Sequence, residues 1–71
     1  MRVQVEAQVT GRVIRIEKKV GDRIETEDVL LVLESMKMEI PVEAECGGTI
    51  AEILVGDGDS VAEGDVLVVL D

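Results

Sequence analysis

Gly21-Asp22-Arg23-Ile24-Glu25-Thr26-Glu27-Asp28-Val29-Leu30-Leu31-Val32-Leu33-Glu34 returns 37 positions later as Gly58-Asp59-Ser60-Val61-Ala62-Glu63-Gly64-Asp65-Val66-Leu67-Val68-Val69-Leu70-Asp71. Both stretches open on Gly-Asp, cross a short mixed segment and close on an apolar run introduced by Asp-Val-Leu. Working outward, the match extends to all of Val3–Glu34 laid over Ile40–Asp71, without a gap and with 12 of 32 pairs identical. Val5-Glu6-Ala7 matches Val42-Glu43-Ala44, and Gly11 matches Gly48. Other apolar positions exchange like for like: Val13 with Ile50, Ile24 with Val61, Leu31 with Val68. Self-similarity at one fixed offset marks an internal duplication. The chain is therefore expected to fold as one pseudo-twofold domain spanning 1–71.

Each copy reads as strands. Val, Ile and Thr number 22, and β-branched side chains favour a pleated sheet over a helix. Val3–Ala7, Val13–Glu17, Ile40–Ala44 and Ile50–Ile53 alternate or nearly alternate, which predicts half-buried strands. Val29–Leu33 and Val66–Leu70 are unbroken apolar runs, expected where a strand meets little solvent on either face. Gly21-Asp22, Gly47-Gly48, Gly56-Asp57-Gly58-Asp59 and Gly64-Asp65 punctuate them as turns. Short strands at such spacing predict an all-β sandwich or flattened barrel with no helix. Pro41 belongs on an edge, where no ladder donor is needed.

Composition bounds the function. Seventy-one residues, 46% apolar and without an aromatic side chain, supply one aliphatic core. Ordering them costs on the order of 100 kcal/mol at ~1.5 kcal/mol per residue, and a domain of this size buries only about 60% of its unfolded surface. Nearly all the Val, Ile and Leu must go into the core, so a substrate-enclosing enzyme is not expected. A net charge of −9 without histidine is the reverse of the basic face that nucleic acid demands. No apolar run approaches the ~20 residues of a membrane span. Met1-Arg2 leads straight into alternating sequence, which predicts no signal peptide. A single cysteine excludes an internal disulfide and fits a reducing cytoplasm. Charge is uneven between the copies: Ile40–Asp71 holds eight acids and no base, whereas Val3–Glu34 holds seven acids and five bases. One face of the molecule is therefore expected to be less negative than the other, with like-charge repulsion serving solubility.

The five residues that the duplication leaves unmatched are Ser35-Met36-Lys37-Met38-Glu39. Strands on either side of so short a seam require a tight hairpin with Met36 and Lys37 at or near its tip. Such turns favour Asn-Gly, Asp-Gly or Gly, which the chain uses elsewhere and not here. A local rule broken once points to a functional site. A lysine at a tip projects its amine on a four-carbon stem, suited to acylation by a partner, and flanking methionines offer a polarizable surface for another protein. The residues alone leave open a solvated lysine with two methionines folded back on the sheet.

Glu34-Ser35-Met36-Lys37-Met38-Glu39 resembles the attachment signature of the biotinyl/lipoyl domain family, in its biotin carboxyl carrier form. The resemblance covers the whole chain, through Gly48-Thr49-Ile50, the Gly-Asp turns and the closing Gly64–Leu70. It implies a flattened barrel of two four-stranded antiparallel sheets related by a quasi-dyad over 3–34 and 40–71, with the modified lysine on one hairpin and both termini at the other end. It further implies that a biotin protein ligase activates biotin as its adenylate and that the Lys37 amine attacks to form an amide. The ring would then carry carboxylate from a biotin carboxylase to a carboxyltransferase, while the domain itself catalyses nothing. Met36, Met38, Glu34, Ser35 and Glu39 are, on this resemblance, the residues that ligase and partners read. Ala7-Gln8-Val9-Thr10-Gly11 lacks the prolines that the family often places there, Ile16–Asp22 leaves no room for a "thumb", and the Pro/Ala linker that often precedes such domains is not expected from Met1-Arg2. The chain would thus be a free-standing carrier or a domain of a larger carboxylase.

Other readings stand beside this one. Lipoyl domains share the fold and the hairpin lysine, usually flanked as Asp-Lys-Ala, and a minimal domain could accept both groups. An unmodified structural or docking module of the same fold is a further alternative, although such modules typically lack the hairpin lysine. Asp57-Gly58-Asp59 has alternating carboxylates but not the remaining ligands of a calcium loop, and is read as a turn. No metal site is expected. Ser35 and Ser60 have no histidine to activate them, and Cys46, opposite Val9 in the duplication, is expected to be a small apolar filler.

Overall fold

A computed structural model describes residues 2–71. Its strands are β1 (Val3–Glu6), β2 (Gly11–Ile16), β3 (Arg23–Ile24), β4 (Val29–Ser35), β5 (Met38–Glu43), β6 (Gly48–Ile53), β7 (Ser60–Val61) and β8 (Val66–Leu70), and no helix occurs among the described residues. They form two four-stranded antiparallel sheets, β1-β8-β6-β3 and β5-β4-β2-β7. Advancing each strand of the first sheet by half the set of eight produces the second. The register repeats too: Leu33 faces Ile40 as Leu70 faces Val3, and Leu31 faces Val42 as Val68 faces Val5. The duplication read in the sequence is therefore a spatial twofold.

The two copies do not form one sheet each. β1 and β3 of the first copy join β8 and β6 of the second, and the other sheet is composed in the converse way. Along the strands themselves, charge does not separate by sheet. The strands of the first sheet carry Glu6, Glu52 and Arg23, and those of the second carry Glu34, Glu39, Glu43, Arg12 and Arg15, so each sheet's strands sum to −1. Interleaving places Glu52 of the second copy in one sheet and Glu43 in the other.

The apolar runs fall on β4 and β8, each flanked on both sides by other strands. Leu30, Leu31 and Leu33 all enter the core, as do their images Leu67, Val68 and Leu70. Strict alternation would send Leu30 outward. A register shift between Val29 and Leu31 leaves Leu30 as the extra residue of a bulge and lets two consecutive side chains point inward. Val32 and Val69 are buried but lie outside the core cluster, so both faces of these strands are shielded. Val13, Ile24, Val42, Ile50 and Val61 complete the interior, with Cys46 packed against its margin. Every residue of that core is aliphatic, and none is polar.

The turns repeat with the copies. Asp22, Asp28, Asp59 and Asp65 each accept a hydrogen bond at Oδ2 from the backbone N–H three residues earlier, at 2.7–3.0 Å. Asp57-Gly58-Asp59 is thus a turn, its Asp59 carboxylate engaged by Gly56 N–H. Two glycines are required by close approach: a Cβ on Gly11 would meet the backbone carbonyl of Glu34, and one on Gly48 would lie 2.6 Å from the carbonyl oxygen of Asp71. These are equivalent sites, and the first lies at the base of the Lys37 hairpin. Pro41 lies on β5, an edge strand, as its missing N–H demands.

Candidate functional site

β4 and β5 pair from Val29–Glu43 through Ser35–Met38, and Ser35–Met38 is the last pair before the turn. Met36 and Lys37 are the whole loop. Both have positive φ, 52° and 65°, as the two central residues of a type I′ turn must. That conformation costs a non-glycine residue about 1–2 kcal/mol. The sheet on either side holds the turn in place and the strain sits at the tip, as it commonly does at functional sites. Lys37 is exposed, and among the described residues its side chain makes no ion pair or hydrogen bond.

The methionines are not folded back. Met36 is 91% exposed and Met38 60% exposed. Ser35 is half-buried at the closing pair. Next along the ladder, Glu34 lies directly across from Glu39, and like charges in that relation repel. β2 relieves it. Arg12 is the cross-strand neighbour of Glu34 and reaches its Oε1 at 3.4 Å, while Arg15 contacts Glu39 Oε1 at 3.5 Å and Glu17 Oε2 at 2.9 Å. The Arg15 guanidinium is held above its ordinary pKa, chiefly by the Glu17 hydrogen bond, with Glu39 adding to it. These pairs are solvated and contribute little to global stability; their effect is to remove repulsion at the neck of the hairpin. Arg12 and Arg15 were not among the residues expected at the site. The signal was present but indirect: hairpin register places Glu34 opposite Glu39, and two facing carboxylates call for a cation on the next strand.

The arrangement is a rigid pedestal with one free amine at its summit. Among the described residues, no three His, Cys, Asp or Glu side chains are grouped to hold a metal ion. A family model described as "biotin-requiring enzyme" matches residues 3–70. The chain belongs to the biotin/lipoyl attachment family. Within it, the chain is similar to the glutaconyl-CoA decarboxylase subunit gamma of Acidaminococcus fermentans, with 46% identity over 37 residues, covering 52% of this chain and 26% of that one. It is similar also to the biotinylated protein TB7.3 of Mycobacterium tuberculosis, with 44% identity over 41 residues and 58% of each chain covered. These matches span about a quarter and somewhat over half of the relatives' lengths. The fold superposes on part of the Kluyveromyces lactis urea carboxylase with a TM-score of 0.95 at 32% identity, over 100% of this chain and 6% of that one. The lipoyl domain of the 2-oxoglutarate dehydrogenase complex from Azotobacter vinelandii gives 0.77 at 28% identity, over 94% and 95%. The protein is a biotin/lipoyl carrier domain, and its described residues include no helix long and apolar enough to cross a membrane.

Proposed function

We propose that this carrier domain is a biotin carboxyl carrier and that Lys37 is its acceptor. The observation that carries the reading is the free, exposed Lys37 on a two-residue turn between two exposed methionines. A biotin protein ligase forms the biotinyl adenylate, and the Lys37 ε-amine attacks its carbonyl. The amide C–N bond forms, AMP leaves and the amine gives up a proton. The ureido ring then receives carboxylate at a biotin carboxylase and delivers it at a carboxyltransferase, in the cytoplasm. The domain's contribution is positional: a tether on a rigid support raises the local concentration of the carried group at both sites. Met36 and Met38 are the apolar contacts that ligase and carboxylase grip, and Glu34, Ser35 and Glu39 set the shape around them. Residues 1–71 act as one such domain. Lipoate on the same lysine is the second reading, favoured by the fit to the lipoyl domain over 94% of this chain.

Coexpression with a biotin protein ligase separates these readings. The expected result is a gain of one biotin mass with avidin binding, both abolished in Lys37→Arg, which keeps the charge but cannot form the amide. Avidin binding that survives in Lys37→Arg would exclude Lys37 as the acceptor, and a lipoate mass from cells would establish the second reading. Exchanging Met36 and Lys37 keeps the composition and moves the amine one turn position. Labelling should fall sharply, because a one-residue displacement re-aims a hairpin side chain. Equal labelling of the exchanged chain would show that the ligase reads a peptide and not a geometry.

A further inference from the structure

Met36 and Met38 are the two methionines among the described residues, and both lie beside the acceptor as exposed side chains. Neither belongs to the core cluster, which contains no sulfur beyond Cys46 at its edge. Among the described residues, the oxidation chemistry of methionine is therefore confined to the tip of the Lys37 hairpin. An oxidised core methionine disrupts packing, whereas sulfoxides at these two positions would leave the fold untouched and change only what a partner meets. A thioether offers a soft, apolar, adaptable surface; a sulfoxide offers a polar oxygen that must find a donor when it is buried against another protein.

We propose that Met36 and Met38 are a reversible oxidation site that gates attachment to Lys37. The oxidant class is a hydroperoxide. A sulfur lone pair attacks the terminal peroxide oxygen, the S–O bond forms as the O–O bond breaks, and water leaves from hydrogen peroxide. Sulfur loses two electrons, and the peroxide gains them. Methionine sulfoxide reductases of both epimer specificities return the thioether, with a dithiol as reductant: it gives up two electrons and two protons to become a disulfide, and the sulfoxide oxygen leaves as water. In the oxidised state the ligase must desolvate one or two sulfoxide oxygens around the acceptor, and labelling slows. This inference rests on Lys37 being the ligase acceptor.

The test uses the unmodified chain treated with hydrogen peroxide and desalted before ligase is added. Peptide mass spectrometry should place one oxygen on each of Met36 and Met38, with the melting temperature unaltered. The initial rate of biotinylation should fall about tenfold or more, the effect of leaving one buried polar group unpaired, and return after treatment with both reductases. The Met36→Leu/Met38→Leu double variant, whatever its starting rate, should be labelled equally before and after peroxide, although it retains Cys46. Full sulfoxide formation at both positions with undiminished labelling would overturn the inference, as would an equal loss in the double variant. An untreated chain that takes no biotin would instead overturn the assignment of Lys37, so the two failures are distinguishable.

Discussion

At the scale of single residues, the site is defined by what Met36, Lys37 and Met38 do not do. They make no core contact and satisfy no buried group, and two of the three occupy a backbone conformation that their side chains disfavour. Truncation should therefore be harmless to the fold and harmful to recognition. Met36→Ala and Met38→Ala are each expected to shift unfolding by no more than about 0.5 kcal/mol, as exposed substitutions do, while biotin attachment or carboxyl transfer declines. A core methionine would lose roughly 2–5 kcal/mol on the same change. Chemical denaturation of each variant measures the difference, and a loss of that larger size would make the residue structural. Lysine identity and methionine flanks were legible in the sequence because they break a turn rule locally. Exposure of 91% at Met36 was not, since a flexible thioether at a tip can lie either way and only packing decides.

At the scale of elements, the duplicated turns show where strain is tolerated. Gly64 and Glu27 occupy equivalent positions, and both have positive φ, 93° and 75°. Glycine adopts that region freely, whereas glutamate does so at a cost of about 1–2 kcal/mol. Glycine in turn loses about 0.5–1 kcal/mol more backbone entropy on folding. Glu27→Gly is expected to stabilise the domain by roughly 0.5–1 kcal/mol, the difference between those terms, seen as a higher urea midpoint with an unchanged slope. An unchanged or lower midpoint would mean that the Glu27 side chain compensates the strain. The same substitution logic at the hairpin, Met36-Lys37 to Asn-Gly, would stabilise the turn and remove the proposed acceptor. On that proposal, stability and function oppose each other at this element. Three of the four Asp-capped turns were foreseen from their Gly-Asp pairs, but the turn at Glu27-Asp28 was not, and Glu27 gave no sign in composition: its strain emerges only when β3 and β4 are joined at the geometry that the second copy shows.

At the scale of the molecule, the interleaving of the copies makes the domain indivisible. Of the six strand pairings, β1–β8, β2–β7, β3–β6 and β4–β5 join one copy to the other, and only β2–β4 and β6–β8 lie within a copy. A separated half would keep one pairing and expose one side of the core, and an isolated two-stranded ribbon is marginal in water. Peptides 1–37 and 38–71 are expected to lack sheet structure by circular dichroism when apart. A folded half would show that the two-copy core is dispensable. The twofold also relates the Lys37 hairpin to the two chain ends, because Leu33–Ile40 maps onto Leu70–Val3. One end of the barrel thus closes in the Met36-Lys37 loop, and its image is the Leu70–Val3 pair.

The six longer strands, the glycine-marked turns, the duplication and the place of Lys37 were determined by the sequence itself, whereas the two-residue strands β3 and β7 were not. Each is a local property: a period of two, a glycine or aspartate at a bend, a motif of six residues. Tertiary structure alone decided which copy's strands lie side by side, why Leu30 and Leu31 both face inward, and why Arg12 and Arg15 stand beside Glu34 and Glu39. It also decided why Gly11 and Gly48 admit no side chain. Those depend on pairings between residues far apart in the chain, where bulges shift the register and the packing of one aliphatic core selects among arrangements that the same alternating pattern allows.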